Sequence, residues 1–407
     1  VHDLVALAPF AGISNKTALL LLTRGARTVY PVPFIRWEVE ASHRREGRIS
    51  QNLSLEQVRR RTRRVHGHAR PLGIYEPDSD GASGLAPWLV SEGRDLRYGD
   101  RKPLEHRSAI RTASLSLAME GRGAYRAYRG ASTEPYGVYW LAISRPASGA
   151  MANGRRVTPP HATLIVDNLP ELGRRLVPKV TGVEIEPHLV YPAVRGAEIR
   201  RWRATPRMHI VMPQDPRIRE AYAEDWLRAT CPKTYRYLRQ FKEVLLSRGS
   251  RVVRALAHKS AFYAMYGIGT YTVARHKVVW QRFATDMQAA VVGPLSHPDL
   301  GRKPVIPTDT TAMVPVRSAG EAHYLCGVLN APATRRFIRS FSAAGRGFGA
   351  PSILRYVRLP AYDRRNPLHR RIAALSRQAH RAAGCEQAAE LPDLERRLDQ
   401  AVRRIFD

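Results

Sequence analysis

The sequence predicts a mixed α/β fold of the α+β type, and three observations carry that reading. Short apolar runs bracketed by glycine and proline recur through the first three quarters of the chain and read as strands. Helical periodicity is concentrated in the last third. No internal repeat of solenoid type is present. At 407 residues the chain has room for two or three domains, each with its own core.

The first element is "TALLLLT" (17–23), a brief continuous apolar run that ends at Arg24-Gly25 and reads as a buried strand. "TVYPVPFIRW" (28–37) returns beside it. Pro31 and Pro33 cannot donate to a ladder, so this segment belongs at an edge or an exit. Together the two predict a hairpin at the rim of a sheet whose other strands are missing. Such a hairpin exposes an apolar edge, and aggregation or dependence on a partner follows. From 38 to about 70 the sequence is strongly charged, with "LSLEQVRRRTRRV" (53–65) readable as one basic helix, and 71–103 reads as loop or linker.

Strand-like segments resume with "YGVYWLAIS" (136–144), "ATLIVDNL" (162–169) and "YPAVRGAEIRRW" (191–202), which leads into "MHIVMP" (208–213). "KTYRYLRQFKEVLLSRG" (233–249) places Leu238, Phe241 and Leu245 on one helical face, with Gly249 as its stop. "YTVARHKVVWQRF" (271–283) does not alternate cleanly, so only its central Val-Val-Trp is expected to be buried. Ser318 stands three residues before Glu321, the capping-box spacing, and opens a helix with Ala322, Leu325, Cys326 and Leu329 facing inward. Two further helices follow. One runs from Pro367 to Gly384 on Leu368, Ile372, Leu375 and Ala379, and the other carries Leu394, Leu398, Val402 and Ile405.

Composition bounds the function. Lys+Arg 66 against Asp+Glu 35 leaves a formal charge of +31, a self-repulsion that a polyanion relieves. Nucleic acid is the leading partner, although a genome rich in G and C also pushes composition toward Arg and Ala. Cys231, Cys326 and Cys385 are far apart and odd in number, which argues against a disulfide framework or a zinc site and fits a reducing compartment. No apolar run approaches the length of a membrane span, and the start lacks a signal-peptide layout, so the expected location is the cytoplasm. Val1 in place of Met reads as a sign that the chain is a piece of a longer one.

Catalytic patterns are not found in the sequence. Gly-x-Gly occurs at Gly121, Gly267 and Gly345, but none follows a convincing strand and opens a helix, as phosphate cradling requires. There is no Walker lysine, no H-E-x-x-H and no G-x-S-x-G. His276, His323, His369 and His380 read as surface or capping residues rather than ligands. No catalytic, cofactor-binding or metal-binding residue is nominated.

Five segments in order, "APFAGISNKTALLLLTRGARTVYPVPFIRW", "YPAVRGAEIRRW", "YTVARHKVVWQRF", "GEAHYLCGVLNAPATRRFI" and "GFGAPSILRYVRLPAYDRRNPLHRRIAALSRQAH", resemble the C-terminal, target-recognition half of adenine-specific DNA methyltransferases of restriction–modification systems. The resemblance implies a division of the chain: 1–40 as the terminal β-hairpin of a Rossmann-like methyltransferase sheet, 41–170 as charged helix, linker and insertion, 171–360 as an α+β target-recognition domain, and 361–407 as C-terminal helices. The family's front half binds S-adenosylmethionine and flips the target adenine into an Asn/Asp-Pro-Pro-aromatic motif, since the amino group cannot be reached in the stack. Here the one Pro-Pro, Thr158-Pro159-Pro160-His161, lacks the preceding carboxamide or carboxylate.

The resemblance thus implies reading of double-stranded DNA here, with the catalytic domain and its S-adenosylmethionine elsewhere, in cis or in trans, and a restriction nuclease as a further partner. Arg195, Arg200, Arg201, Lys277 and Arg282 are expected on phosphate, and Arg346 and Arg355 near the Gly-rich turn on base edges. Gly345, Gly347 and Gly349 would let backbone approach DNA. Their bland reading is a solvated loop and surface arginines, and Trp202 and Trp280 read as core. Two other readings stay open: a recognition subunit of a split methyltransferase or restriction enzyme, and a non-enzymatic basic nucleic-acid-binding protein.

Overall fold

In the computed structural model of the chain, the structure describes residues 1–4, 7, 17–25, 28–29, 31–40, 42–43, 53–71, 88–92, 115, 118–145, 151–152, 155–156, 163–173, 177–342, 345–346, 348–384 and 388–406. The fold is mixed α/β. Thr158-Pro159-Pro160-His161, Cys385, Gly347 and most of 72–114 lie outside the described residues.

The amino-terminal sheet has five strands in the order Ala18–Leu19, His2–Asp3, Val32–Val39, Thr62–Pro71, Trp88–Glu92. It departs from the expected hairpin in three ways. The strand at 2–3 lies between the other two, antiparallel to 18–19 and parallel to 32–39. Pro33 therefore sits in an interior strand. Its carbonyl accepts from the Val1 amino group, so its missing N–H points past the paired part of the 2–3 strand. The apolar run is not buried either: exposure rises from 49% at Leu19 to 84% at Leu22. The predicted basic helix of 53–65 is also shorter. Ser54 and Gln57 form a capping box over Leu55–Arg61, and the chain then turns extended at Thr62 and pairs along 32–39.

The six-stranded sheet runs in the order Val183–Ile185, Leu164–Asn168, Trp140–Arg145, Met208–Val211, Val190–Val194, Ile306–Pro307. Helices Glu224–Thr230, Pro232–Arg239 and Lys242–Leu246 pack on it through Leu227, Tyr237, Leu238, Phe241 and Leu245. The single helix expected over 233–249 is thus two, broken at Gln240-Phe241, while its apolar face stays buried.

Chain 305–316 then crosses from this sheet into a four-stranded one, ordered Ala289–Val292, His276–Gln281, Thr311–Val316, Tyr128–Arg129. Both of its faces are covered. Val278, Trp280, Ala312 and Val314 meet the helix Ala319–Asn330 and the C-terminal helices Pro367–Gly384 and Leu391–Arg403, whereas Val279, Ala290 and Met313 meet Val194, Ile199 and Val305. Trp202 and Trp280 lie in the core, as expected. The Ser318 hydroxyl accepts from Glu321 N, and Ala322, Leu325, Cys326 and Leu329 are buried, again as expected.

Candidate nucleic-acid interface

The strand 276–281 carries the first correction to the expected contacts. Its period of two puts Lys277 on the face of Val279, and that face is roofed by the 194–199 and 305 segments. Lys277 is 1% exposed. Its Nζ donates to the carbonyls of Ala274 at 2.6 Å and Val305 at 3.0 Å, and burial pushes its amine down to about 7. It holds backbone together and cannot reach a phosphate. Lys303 acts in the same way, donating to Val190 O at 2.8 Å and His188 O at 2.9 Å, with its amine lowered by burial to about 8.

Most of the nominated arginines are also engaged within the protein. Arg195 pairs with Glu198 at 2.9 Å and lies over the Trp140 ring. Arg201 Nη1 donates to both carboxylate oxygens of Glu395, at 2.9 and 2.7 Å, and Trp202 Nε1 donates to the same group at 2.8 Å. Arg282 Nη1 donates to Asp309 O at 2.6 Å. Arg200 is exposed but folds onto its own backbone, donating to Ala197 O and Ile199 O. Arg355 is exposed on the turn Pro351–Tyr356. The Arg346 side chain lies outside the described residues, and its backbone pairs with Phe283. These residues are held by different parts of the fold: Arg195 by Glu198 and Trp140, Arg282 by Asp309, and Arg201 by Glu395 of the C-terminal helix.

Gly349 is a second correction. A Cβ there would stand 1.9 Å from Gln281 O, so the glycine serves close approach to the 276–281 strand, not to a ligand. His323 and His380 are a third, for both are largely internal. Burial lowers His323 to about 3 and His380 to about 4, and His380 Nε2 accepts from Val291 N at 3.0 Å. They act as neutral hydrogen-bonding groups within the core.

Unengaged charge is found at the opposite end of the four-stranded sheet. A groove of about 910 Å³ is lined by Tyr125, Arg126, Tyr128, Arg317, Tyr362 and Arg364 among others. The segment 124–128 enters it on the way to the edge strand, 317–321 carries the N-cap and first residues of the 319–330 helix, and 361–364 leads into the 367–384 helix. Arg126 lies over the Tyr128 ring at 5.3 Å, and Tyr128 stacks on Tyr271 at 4.2 Å and 10°. Tyr125 Oη accepts from Tyr362 N at 3.0 Å, and burial pushes its phenol up. Arg126, Arg317 and Arg364 are exposed and have no carboxylate partner among the described residues. Glu321, the one carboxylate among the described residues that line the groove, accepts from Arg317 N at 2.8 Å.

A smaller hollow of about 350 Å³ holds Arg275 and Arg302. His276 pairs with Val316 across the ladder, so Arg275 and Arg317 leave adjacent strands at the same end of the sheet. Arg275 and Arg302 thus add positive charge toward the end of the sheet at which Arg317 stands. Guanidinium groups interleaved with tyrosine rings suit a phosphodiester backbone and the faces of bases.

No family model and no curated protein matches this chain. A solved structure, the Type IIL restriction-modification enzyme MmeI in complex with DNA, is similar over 71% of this chain at 12% identity and a TM-score of 0.40. The chain spans 34% of the length of that enzyme chain.

None of Arg126, Arg317 and Arg364 was nominated from sequence. A signal was present in "AYRAYR" (124–129), where arginine and tyrosine interleave on the way into an edge strand. For Arg317 and Arg364 no local pattern distinguishes them from other surface arginines. Among the described residues no group of three or more His, Cys, Asp or Glu could hold a metal ion, and no helix is long and apolar enough to cross a membrane.

Proposed function

We propose that this chain is the DNA-binding, target-recognition part of a site-specific N6-adenine DNA methyltransferase of a restriction–modification system, inactive by itself. The observation that carries the DNA-binding step is the rim formed by Arg126, Arg317 and Arg364, which have no carboxylate partner among the described residues, with Tyr362 beside them and Tyr128 stacked on Tyr271. A charge of +31 supports it. The adenine methyltransferase context rests on the five sequence motifs in order. The complete enzyme would take S-adenosylmethionine on a catalytic domain joined in cis or in trans. The exposed run Leu19–Leu22 favours a partner of that kind, because four consecutive apolar side chains facing solvent gain stability when another surface covers them.

Fluorescence anisotropy on a short labelled duplex tests the reading. Each phosphate contact removed lowers the log–log salt slope by about 0.9, so the triple variant Arg126→Ala, Arg317→Ala, Arg364→Ala should flatten it by about 2 to 3. An unchanged slope with unchanged affinity would exclude this rim as the interface. Co-expression with a separately encoded catalytic half, followed by a methylation assay, tests the methyltransferase context.

A further inference from the structure

A two-stranded hairpin, Gln214–Asp215 paired with Glu220–Ala221, carries the sequence Pro216-Arg217-Ile218-Arg219 at its tip. The tip is braced from inside. Arg219 N donates to Asp215 O at 2.9 Å, Arg217 N donates to Asp215 Oδ1 at 2.8 Å, and Gln214 Nε2 donates to Arg219 O at 3.1 Å. Gln214 is itself anchored in the body of the protein, donating to Met265 O and accepting from Met265 N, both at 2.8 Å. On this rigid support Ile218 is 65% exposed, and Arg219 holds a left-handed φ of 62°.

Neither feature helps the turn. Left-handed positions favour glycine or asparagine, and turn tips favour small polar residues over a β-branched apolar one. A single exposed apolar side chain is common on protein surfaces, but here it is fixed in place with an arginine on each side. The position matters too. The Gln214 bonds to Met265 tie the hairpin to the segment 265–271, and Tyr266 O accepts from Ser132 N at 2.8 Å, so the same segment runs beside the chain that follows the 128–129 edge strand. Tyr271 stacks on Tyr128 of the groove. The hairpin is therefore anchored on the segment that carries Tyr271 to the basic rim.

We propose that Arg217-Ile218-Arg219 is a wedge that enters duplex DNA, with Ile218 against an opened base step and Arg219 on a flanking phosphate. The proposal rests on the DNA-binding reading above and adds deformation of the duplex to it. Apolar side chains flanked by cations unstack base steps in this way, and pyrimidine–purine steps yield most readily. Arg217 stays bidentate on the buried Asp215 carboxylate, through Nε at 3.2 Å and Nη2 at 2.9 Å, and so stiffens the tip that presents Ile218.

The test uses the full chain. Duplexes enriched from a randomised pool by the wild type are rebuilt with 2-aminopurine at each step in turn, and binding is followed by both anisotropy and 2-aminopurine fluorescence. The wild type should brighten one step. Ile218→Ala should bind with the same salt slope, lose that brightening and weaken by about tenfold, whereas Ile218→Leu should keep the signal. Arg219→Ala should lower the salt slope by about 0.9. Binding by the wild type with no brightened step, or a signal that Ile218→Ala leaves intact, overturns the wedge and leaves DNA binding standing. No binding to any duplex overturns both.

Discussion

Replacing Lys277 with methionine should change how stability depends on pH. The folded amine titrates at about 7 because it is buried with two carbonyls and no carboxylate, whereas in the unfolded chain it titrates near its ordinary value. Between those two values the unfolded chain binds more protons, so stability rises with pH through that window. The penalty of the buried ammonium is complete below about pH 7 and gone above about pH 10.5. Between about pH 6.5 and 9.5 the linkage amounts to about 3 kcal/mol. Lys303 contributes in the same direction but is present in both proteins and drops out of the difference. The methionine leaves Ala274 O and Val305 O without that donor, costing about 1–3 kcal/mol at every pH. In urea titrations followed by tryptophan fluorescence, Lys277→Met should be the weaker protein at high pH and draw level or ahead at low pH. Parallel stability curves for the two proteins would refute the argument that Lys277 is buried with its charge uncompensated.

Gly349→Ala should cost about 3 kcal/mol or more, since its Cβ would collide with backbone at Gln281 rather than with a side chain that can move; thermal melting reads this, and a shift of only a degree or two would contradict the packing. Leu21→Lys with Leu22→Lys should leave the melting temperature nearly unchanged and reduce self-association in light scattering, because both side chains already face solvent. Unchanged association would show that this edge is not the adhesive one.

Periodicity made the last third of the fold legible. Ser318 and Glu321, and the apolar faces of the 319–330, 367–384 and 391–403 helices, are local patterns that the structure keeps. What local sequence could not show was long-range pairing. Arg63 and Arg64 read as part of the basic helix because their strand partner, 32–39, lies some two dozen residues away. Lys277 read as exposed because nothing near it reveals that a second layer covers its face. Arg201 read as free because its carboxylate lies 194 residues downstream. Charge counts therefore overstate the cationic surface: Arg248, also fully buried, donates to Tyr139 Oη and Phe262 O.

The ties to the last long helix bear on how the chain is made. Glu395 holds Arg201 and Trp202, and Asp399 accepts from Ala333 N at 2.7 Å, so the same helix anchors two segments synthesised long before it. On the ribosome neither segment can complete its packing until that helix emerges. A chain cut before Leu391 would leave the Arg201 guanidinium and the Trp202 indole without their carboxylate, so the 391–403 helix is required for packing that lies far from it in sequence.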